Sequence, residues 1–95
     1  MNDYWPFDQP QNCATFSLRQ IFQEGKPILY VSHDEDDHGW QFLSGEEVKS
    51  EDAFIVGLEE VVKLDPSVLE IADLEPGWIA TRESICDPWK RQKQN

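Results

Sequence analysis

The chain has 95 residues, of which 39% are hydrophobic and 12% aromatic, so it can form one small packed domain and is too short for two. Nineteen Asp and Glu against eight Lys and Arg give a net charge of −11. A field of that sign repels phosphate backbones and anionic lipid, so we expect neither nucleic-acid nor membrane binding, and we expect a basic protein to be the favoured partner.

The first eleven residues predict an extended N-terminal arm (1–11), because MNDYWPFDQPQ contains two prolines. Its Trp5 and Phe7 are expected to lie across the core, since an exposed aromatic pair is unfavourable. No cationic start precedes an apolar run, so neither secretion nor membrane insertion is expected. Cys13 and Cys86 are therefore interpreted as reduced thiols of a cytoplasmic protein.

Residues 12–89 are predicted to form the folded domain. Its first strand is expected in the alternating stretch 12–17, followed by a short helix. Ser17 and Gln20 have the S-x-x-Q spacing of a capping box, and Gly25 is a stop signal. The sequence thus predicts a β-α start.

A β-hairpin is predicted next. The run ILYVS (28–32) is β-branched and aromatic, and GWQFLS (39–44) alternates Trp40 and Phe42 with Gln41 and Leu43. The connection between them is acidic and longer than a two-residue turn, so these two strands are expected to pair antiparallel through an acidic loop.

The second half predicts a strand, two helices and a final strand. AFIVG (53–57) leads directly into the amphipathic LEEVVKL, and Asp65 followed by Pro66 is a signal for a second helix start. A last strand is expected at 78–82, and the basic residues 90–95 are predicted to be a flexible tail.

The order β-α-β-β-β-α-α-β predicts the α+β class. We expect a mostly antiparallel sheet of about four or five strands, with two or three short helices packed on one face.

The segment HDEDDHGWQFLSGEE (33–47) is the candidate functional region. As a calcium loop counted from Asp34, it has suitable residues at positions three and six, Asp36 and Gly39. The fifth position is His38, and the twelfth is Gly45 where a bidentate Glu is needed. The sequence therefore argues against an EF-hand.

A transition-metal site is an alternative interpretation, with ligands His33, Asp36, Asp37 and His38. The two histidines lie five residues apart in a predicted loop, and no third strong ligand is placed by pattern. Catalysis is not expected, because the segment contains no G-x-S-x-G elbow and exposed carboxylates do not act as acids without a pocket. No cofactor is predicted.

An acidic interaction surface is the preferred interpretation. Strong single-sign charge accelerates association with an oppositely charged protein. The residues predicted to bind such a partner are Asp34, Glu35, Asp36, Asp37, Glu46 and Glu47. A solvated loop that only protects a strand edge from aggregation is the competing interpretation.

The stretches SHDEDDHGWQFLSG and FIVGLEEVVKLDPSVLEIADLEPGW resemble a group of small bacterial domains of unknown function that includes immunity proteins of polymorphic-toxin systems. The resemblance spans roughly residues 12–83. Its most specific positions are Asp36, Asp37, Gly39, Trp40, Phe42 and Gly45. Asp65-Pro66 and Gly77 are less specific positions of the same resemblance. It implies a bacterial, non-enzymatic protein that binds and blocks a toxin, and it carries no catalytic motif.

Overall fold

Six strands form a single sheet in the computed structural model, which describes residues 5–94. The strands are β1 Ala14–Leu18, β2 Tyr30–His33, β3 Trp40–Leu43, β4 Ala53–Gly57, β5 Trp78–Thr81 and β6 Lys90–Lys93. The helices are α1 Arg19–Glu24 and α2 Leu58–Leu64, with 3-10 helices at Ser50–Asp52 and Pro66–Ile71. The predicted α+β class is confirmed, and the predicted elements occur in the expected order, with β6 and the 3-10 helix Ser50–Asp52 added.

The sheet has six strands, in the order β4-β1-β3-β2-β5-β6, where four or five were expected. Its strand pairing is mixed. β1 and β3 run parallel, with Phe16 opposite Gln41, while every other neighbouring pair of strands is antiparallel. The connection through α1 places β2 one strand position away from β1. β3 then fills the position between them, antiparallel to β2 and parallel to β1.

One face of the sheet forms the core. The register places Val31 opposite both Phe42 and Ala80, and all three are fully buried. The helices contribute the remaining buried residues of the same cluster, among them Ile21, Leu58, Val61, Val68 and Ile71. The helices therefore share one core with this face of the sheet. Burial of each large apolar side chain contributes roughly 1.5–3 kcal/mol.

The face of the sheet opposite the core, which we call the open face, is exposed at β1 and β4, whereas Ser32 of β2 and Ile79 of β5 are buried on it. Phe16 of β1 lies directly across from Ile55 of β4, and these side chains are 47% and 65% exposed. Both positions alternate with inward-facing neighbours, so their exposure follows from the strand period of two.

The N-terminal arm packs as expected from its aromatic residues. Phe7 is buried edge-on against Trp40, with ring centroids 5.2 Å apart, and Trp5 lies 5.4 Å from Phe7. The Trp5 indole N–H donates to the Gln9 carbonyl at 2.7 Å. The expected arm also includes residues 1–4, which lie outside the described residues.

The predicted capping box is wrong. The Ser17 hydroxyl is buried and donates to the Phe42 carbonyl at 2.8 Å, while α1 begins after Leu18 without a side-chain cap. The alternation of β1 turns Ser17 into the core, where a buried hydroxyl must find a partner within the protein. The stop signal is confirmed, because Gly25 has a φ of 74° at the end of α1.

The predicted second helix start is confirmed at Asp65. Its carboxylate accepts the Ser67 N–H at 3.0 Å, and Pro66 occupies the first helical position. The helix that follows is a 3-10 helix.

Residues 90–93 form β6, which differs from the flexible tail predicted for residues 90–95. The strand pairs with β5 over four residues, from Thr81 opposite Lys90 to Trp78 opposite Lys93. All four residues of β6 are exposed, so the segment has no apolar alternation to signal a strand. Backbone hydrogen bonding to β5 defines it, and Asn95 lies outside the described residues.

Candidate functional site

The acidic loop connects β2 and β3 and is closed by one hydrogen bond between backbone groups and one from a backbone N–H to a side chain. The Asp34 N–H donates to the Gly39 carbonyl at 2.8 Å, and the Gly39 N–H donates to the Asp37 carboxylate at 2.8 Å. Just below the loop, the Gly77 N–H donates to the His33 carbonyl at 2.7 Å. The loop is therefore an ordered hairpin tip, which we call the acidic tip and define as residues 34–39.

The acidic tip stands on a stack of buried rings. His33 lies parallel to Trp40, with ring centroids 4.1 Å apart and an interplanar angle of 14°. Trp40 in turn stacks on Phe42 at 5.9 Å, and its indole N–H donates to the Gln9 side-chain oxygen at 3.1 Å. Fully buried rings have little room to shift, so the base of the acidic tip is fixed.

Asp34 is tied to the open face of the sheet. Its carboxylate accepts the Gln41 amide at 2.8 Å and the Ser32 hydroxyl at 3.2 Å. Since the side chain is also half-buried, Asp34 holds the hairpin together and has little capacity left for a partner.

The remaining side chains of the acidic tip point into solvent. Glu35, Asp36, Asp37 and His38 are exposed, and none of the four ion pairs among residues 5–94 includes a carboxylate of this loop. The loop forms one wall of a shallow hollow of about 340 Å³ whose lining contains no lysine or arginine. The lining residues are Asp34, Glu35, Asp36, Asp37, Gly77 and Gln94. The acidic tip is therefore a concentration of negative charge without a described internal counter-ion.

Glu46 and Glu47 do not join the acidic tip. They follow β3, at the end of the hairpin opposite to the loop, and are exposed. The four residues of β3 separate the two groups by about 13 Å at roughly 3.3 Å per residue. Glu46 lies 3.8 Å from the Lys26 ammonium instead. The six predicted partner-binding residues thus form two groups.

A second region, which the sequence did not predict, is a cleft of mixed charge beside Glu46. An open cleft of about 880 Å³ brings Glu46 together with Glu83 and Asp87, which come from the segment after β5. Arg82 and Lys90 also line this cleft. The spacing of these acids along the chain gave no signal, because their proximity depends on the pairing of β2 with β5.

The ligand set of the metal interpretation is not assembled. Within residues 5–94, no group of three or more His, Cys, Asp and Glu side chains converges on a point that could hold a metal ion. The His33 ring is buried in the core, and its Nδ1 lies 2.6 Å from the Leu74 carbonyl. A carbonyl only accepts hydrogen bonds, so Nδ1 carries the hydrogen, and Nε2 is buried without a described partner.

The two cysteines do not form a disulfide. Cys13 is half-buried, Cys86 is exposed, and both are free thiols. None of the helices within the described part of the chain is long and apolar enough to cross a membrane.

Comparison with known proteins adds no assignment: no protein-family model, curated protein or solved structure matches this chain at a significant level.

Proposed function

We propose that this chain is a non-enzymatic binding module of bacterial origin that captures a basic protein through its acidic tip, and that the partner is a toxin of the kind that immunity proteins block. The observation that carries the proposal is the exposure of Glu35, Asp36 and Asp37 on a loop whose base is fixed by buried rings. The resemblance to immunity-type domains supports the choice of a toxin.

Two physical arguments connect this geometry to binding. Carboxylates of one sign, presented together, raise the association rate with a cationic surface and make it sensitive to salt. A loop that is already closed by hydrogen bonds loses little conformational entropy when it meets a partner. The acidic tip therefore has the properties of a preorganised, electrostatically steered contact.

The test uses the triple variant Glu35→Gln, Asp36→Asn, Asp37→Asn. A matched control removes the same charge from three other exposed carboxylates in Glu24→Gln, Glu70→Gln, Glu75→Gln. Partners are first captured from a bacterial source lysate at low salt, and affinities are then measured by surface plasmon resonance. We expect the tip variant to bind at least about tenfold more weakly, which corresponds to about 1.4 kcal/mol. The loss should appear mainly as slower association, because three carboxylates that attract the basic partner have been neutralised.

Equal losses in the tip variant and the control variant would show that net charge alone matters, and the acidic tip would then be a solvated loop. Failure to capture a basic partner at low salt also argues against the proposal. The immunity role has its own assay: co-expression with a captured toxin should restore growth of the host cell, and unchanged killing would refute that role.

A further inference from the structure

The two edges of the sheet have opposite character. β6 presents Lys90, Arg91 and Lys93, all exposed, and charged side chains of this kind protect an edge strand against pairing. β4 has the sequence AFIVG, which contains no charge and no proline. Within residues 5–94, β1 is the only strand that pairs with β4. The β4 edge therefore lacks the usual protection.

The backbone of Ile55 faces outward from this edge. The Leu58 N–H donates to the Cys13 carbonyl at 2.8 Å, one step beyond the register of β1 and β4. Hydrogen-bonded and non-hydrogen-bonded pairs alternate in an antiparallel ladder, so Ile55 and Phe16 form a non-hydrogen-bonded pair. The N–H and C=O of Ile55 consequently point away from β1, toward the position of an additional strand.

The side chains beside this edge offer apolar contact. Ile55 is 65% exposed on the open face, and Phe16, its cross-strand neighbour, is 47% exposed. A strand added next to β4 would place alternate side chains within about 5 Å of Ile55. Main-chain hydrogen bonds with side-chain contacts on alternate residues are the basis of recognition by strand addition.

The charges around β4 select the occupant. Residues 49–63 hold four acids and two bases, with Glu51 and Asp52 before the strand and Glu59 and Glu60 after it. The Lys63 ammonium lies 3.4 Å from the Glu60 carboxylate, which leaves Glu51, Asp52 and Glu59 as the acids available to a partner. A second copy of this chain, paired antiparallel through β4, would bring Glu51 and Asp52 of one copy against Glu59 and Glu60 of the other. Like charges in that position oppose pairing, whereas an extended basic segment would find acids at both ends.

We propose that the β4 edge accepts an extended basic segment of the partner protein as a seventh strand. This inference rests on the proposed function, since it takes the same class of partner, and it identifies a second contact: the acidic tip steers the partner and the β4 edge binds its main chain. The segment is expected to alternate basic and apolar side chains, with the apolar ones packed against Ile55 and Phe16.

The experiment uses a synthetic ten-residue peptide of alternating lysine and valine as the probe. A second peptide has the same sequence with all main-chain amides N-methylated, which keeps the charge and removes the main-chain donors on both edges of the strand. Binding to the full chain is measured by calorimetry, and the contact is located by amide hydrogen exchange. We expect the Ile55 amide to gain protection with the first peptide, and affinity to fall at least about tenfold with the second.

Two variants with the same charge change sharpen the test. Ile55→Lys places a charge on the β4 edge, while Leu64→Lys changes a residue at the end of α2 that is 45% exposed. Urea denaturation checks that both remain folded. We expect a loss of at least about tenfold in probe affinity for Ile55→Lys and less than about threefold for Leu64→Lys. The exchange measurement on the unsubstituted chain gives an answer even if Ile55→Lys does not fold.

Each contrary result has a defined meaning. Protection confined to residues 34–39, with equal affinities of the two lysine variants, overturns the β4 contact and leaves the proposed function standing. Equal binding of a peptide of alternating glutamate and valine at β4 overturns the charge selection. Dimers in sedimentation, with Ile55 protected in the absence of peptide, would assign the edge to a second copy. Loss of the acidic-tip effect in the partner assay refutes the proposed function alone.

Discussion

The chain contains two Arg–Asp ion pairs that have the same N···O distance and differ in burial. Comparing them measures how burial changes the cost of removing one partner of an ion pair. Arg82 Nη2 to Asp65 Oδ2 and Arg91 Nη2 to Asp73 Oδ1 are both 2.7 Å. The side chains of the first pair are 2% and 22% exposed, and those of the second are 37% and 80% exposed. We predict that Asp65→Asn and Asp73→Asn will differ strongly in their effect on the free energy of unfolding.

The surroundings of Arg82 set the magnitude for the buried pair. Its guanidinium also donates to the Ile28 carbonyl at 3.0 Å and to the Ser67 hydroxyl at 2.9 Å, and it lies 4.1 Å from the centre of the Trp89 ring. Asp65→Asn leaves these neutral contacts and the cap of Ser67 available, but it removes the only carboxylate among residues 5–94 that is bonded to the buried guanidinium. Removal of one partner from a buried pair costs about 3–5 kcal/mol.

We expect a value near the lower end, about 3 kcal/mol, because Asp65 is 22% exposed and water can partly solvate the site. Asp73→Asn should cost at most about 1 kcal/mol, since exposed ion pairs contribute little. Urea denaturation followed by tryptophan fluorescence measures both values. The difference of about 2 kcal/mol between the two variants should place the thermal unfolding midpoint of Asp65→Asn at least about 8 °C below that of Asp73→Asn in a domain of this size. Costs for the two variants that agree within about 1 kcal/mol would refute the argument from burial.

Two further predictions concern the same C-terminal part of the chain. A hydrogen bond from Arg91 holds the pKa of Asp73 below its ordinary value of 3.8, so this pair stabilises the fold above pH 3.8 and the contribution is lost as the pH falls through the lowered folded-state pKa. The small difference in unfolding free energy between the unsubstituted chain and Asp73→Asn should therefore vanish in acid titrations, and a difference that grows in acid would contradict the assignment. Truncation after Trp89 removes β6 and should cost about 2–4 kcal/mol, from roughly four strand hydrogen bonds at a net ~0.5–1 kcal/mol each. A flexible tail would leave the urea midpoint unchanged.

Sequence patterns predicted the elements whose signals are local. The hairpin of β2 and β3, the end of α1 at Gly25 and the helix start at Asp65 depend on residues within a few positions of one another. Backbone conformation at such positions is set by side-chain size and by short-range hydrogen bonds. The inward placement of Trp40 and Phe42 likewise follows from the strand period of two.

The candidate site was only partly predictable for the same reason. The acidic tip is a local feature, and the structure presents Glu35, Asp36 and Asp37 in solvent as an exposed loop would. The sequence did not show that His33 belongs to the core, because its burial depends on contact with Leu74, forty-one positions away.

The sequence by itself determined the class of the fold, its principal elements and the strong negative charge. Only the tertiary structure decided that β1 and β3 run parallel, that the basic C-terminal segment forms an edge strand, and that Glu46 lies at the opposite end of the hairpin from the acidic tip. The physical reason is that strand order is fixed by backbone hydrogen bonds between distant segments, which every residue can accept and every residue except proline can donate. The pattern of hydrophobic and polar side chains along a strand predicts which residues are buried, but it does not predict which strand pairs with it.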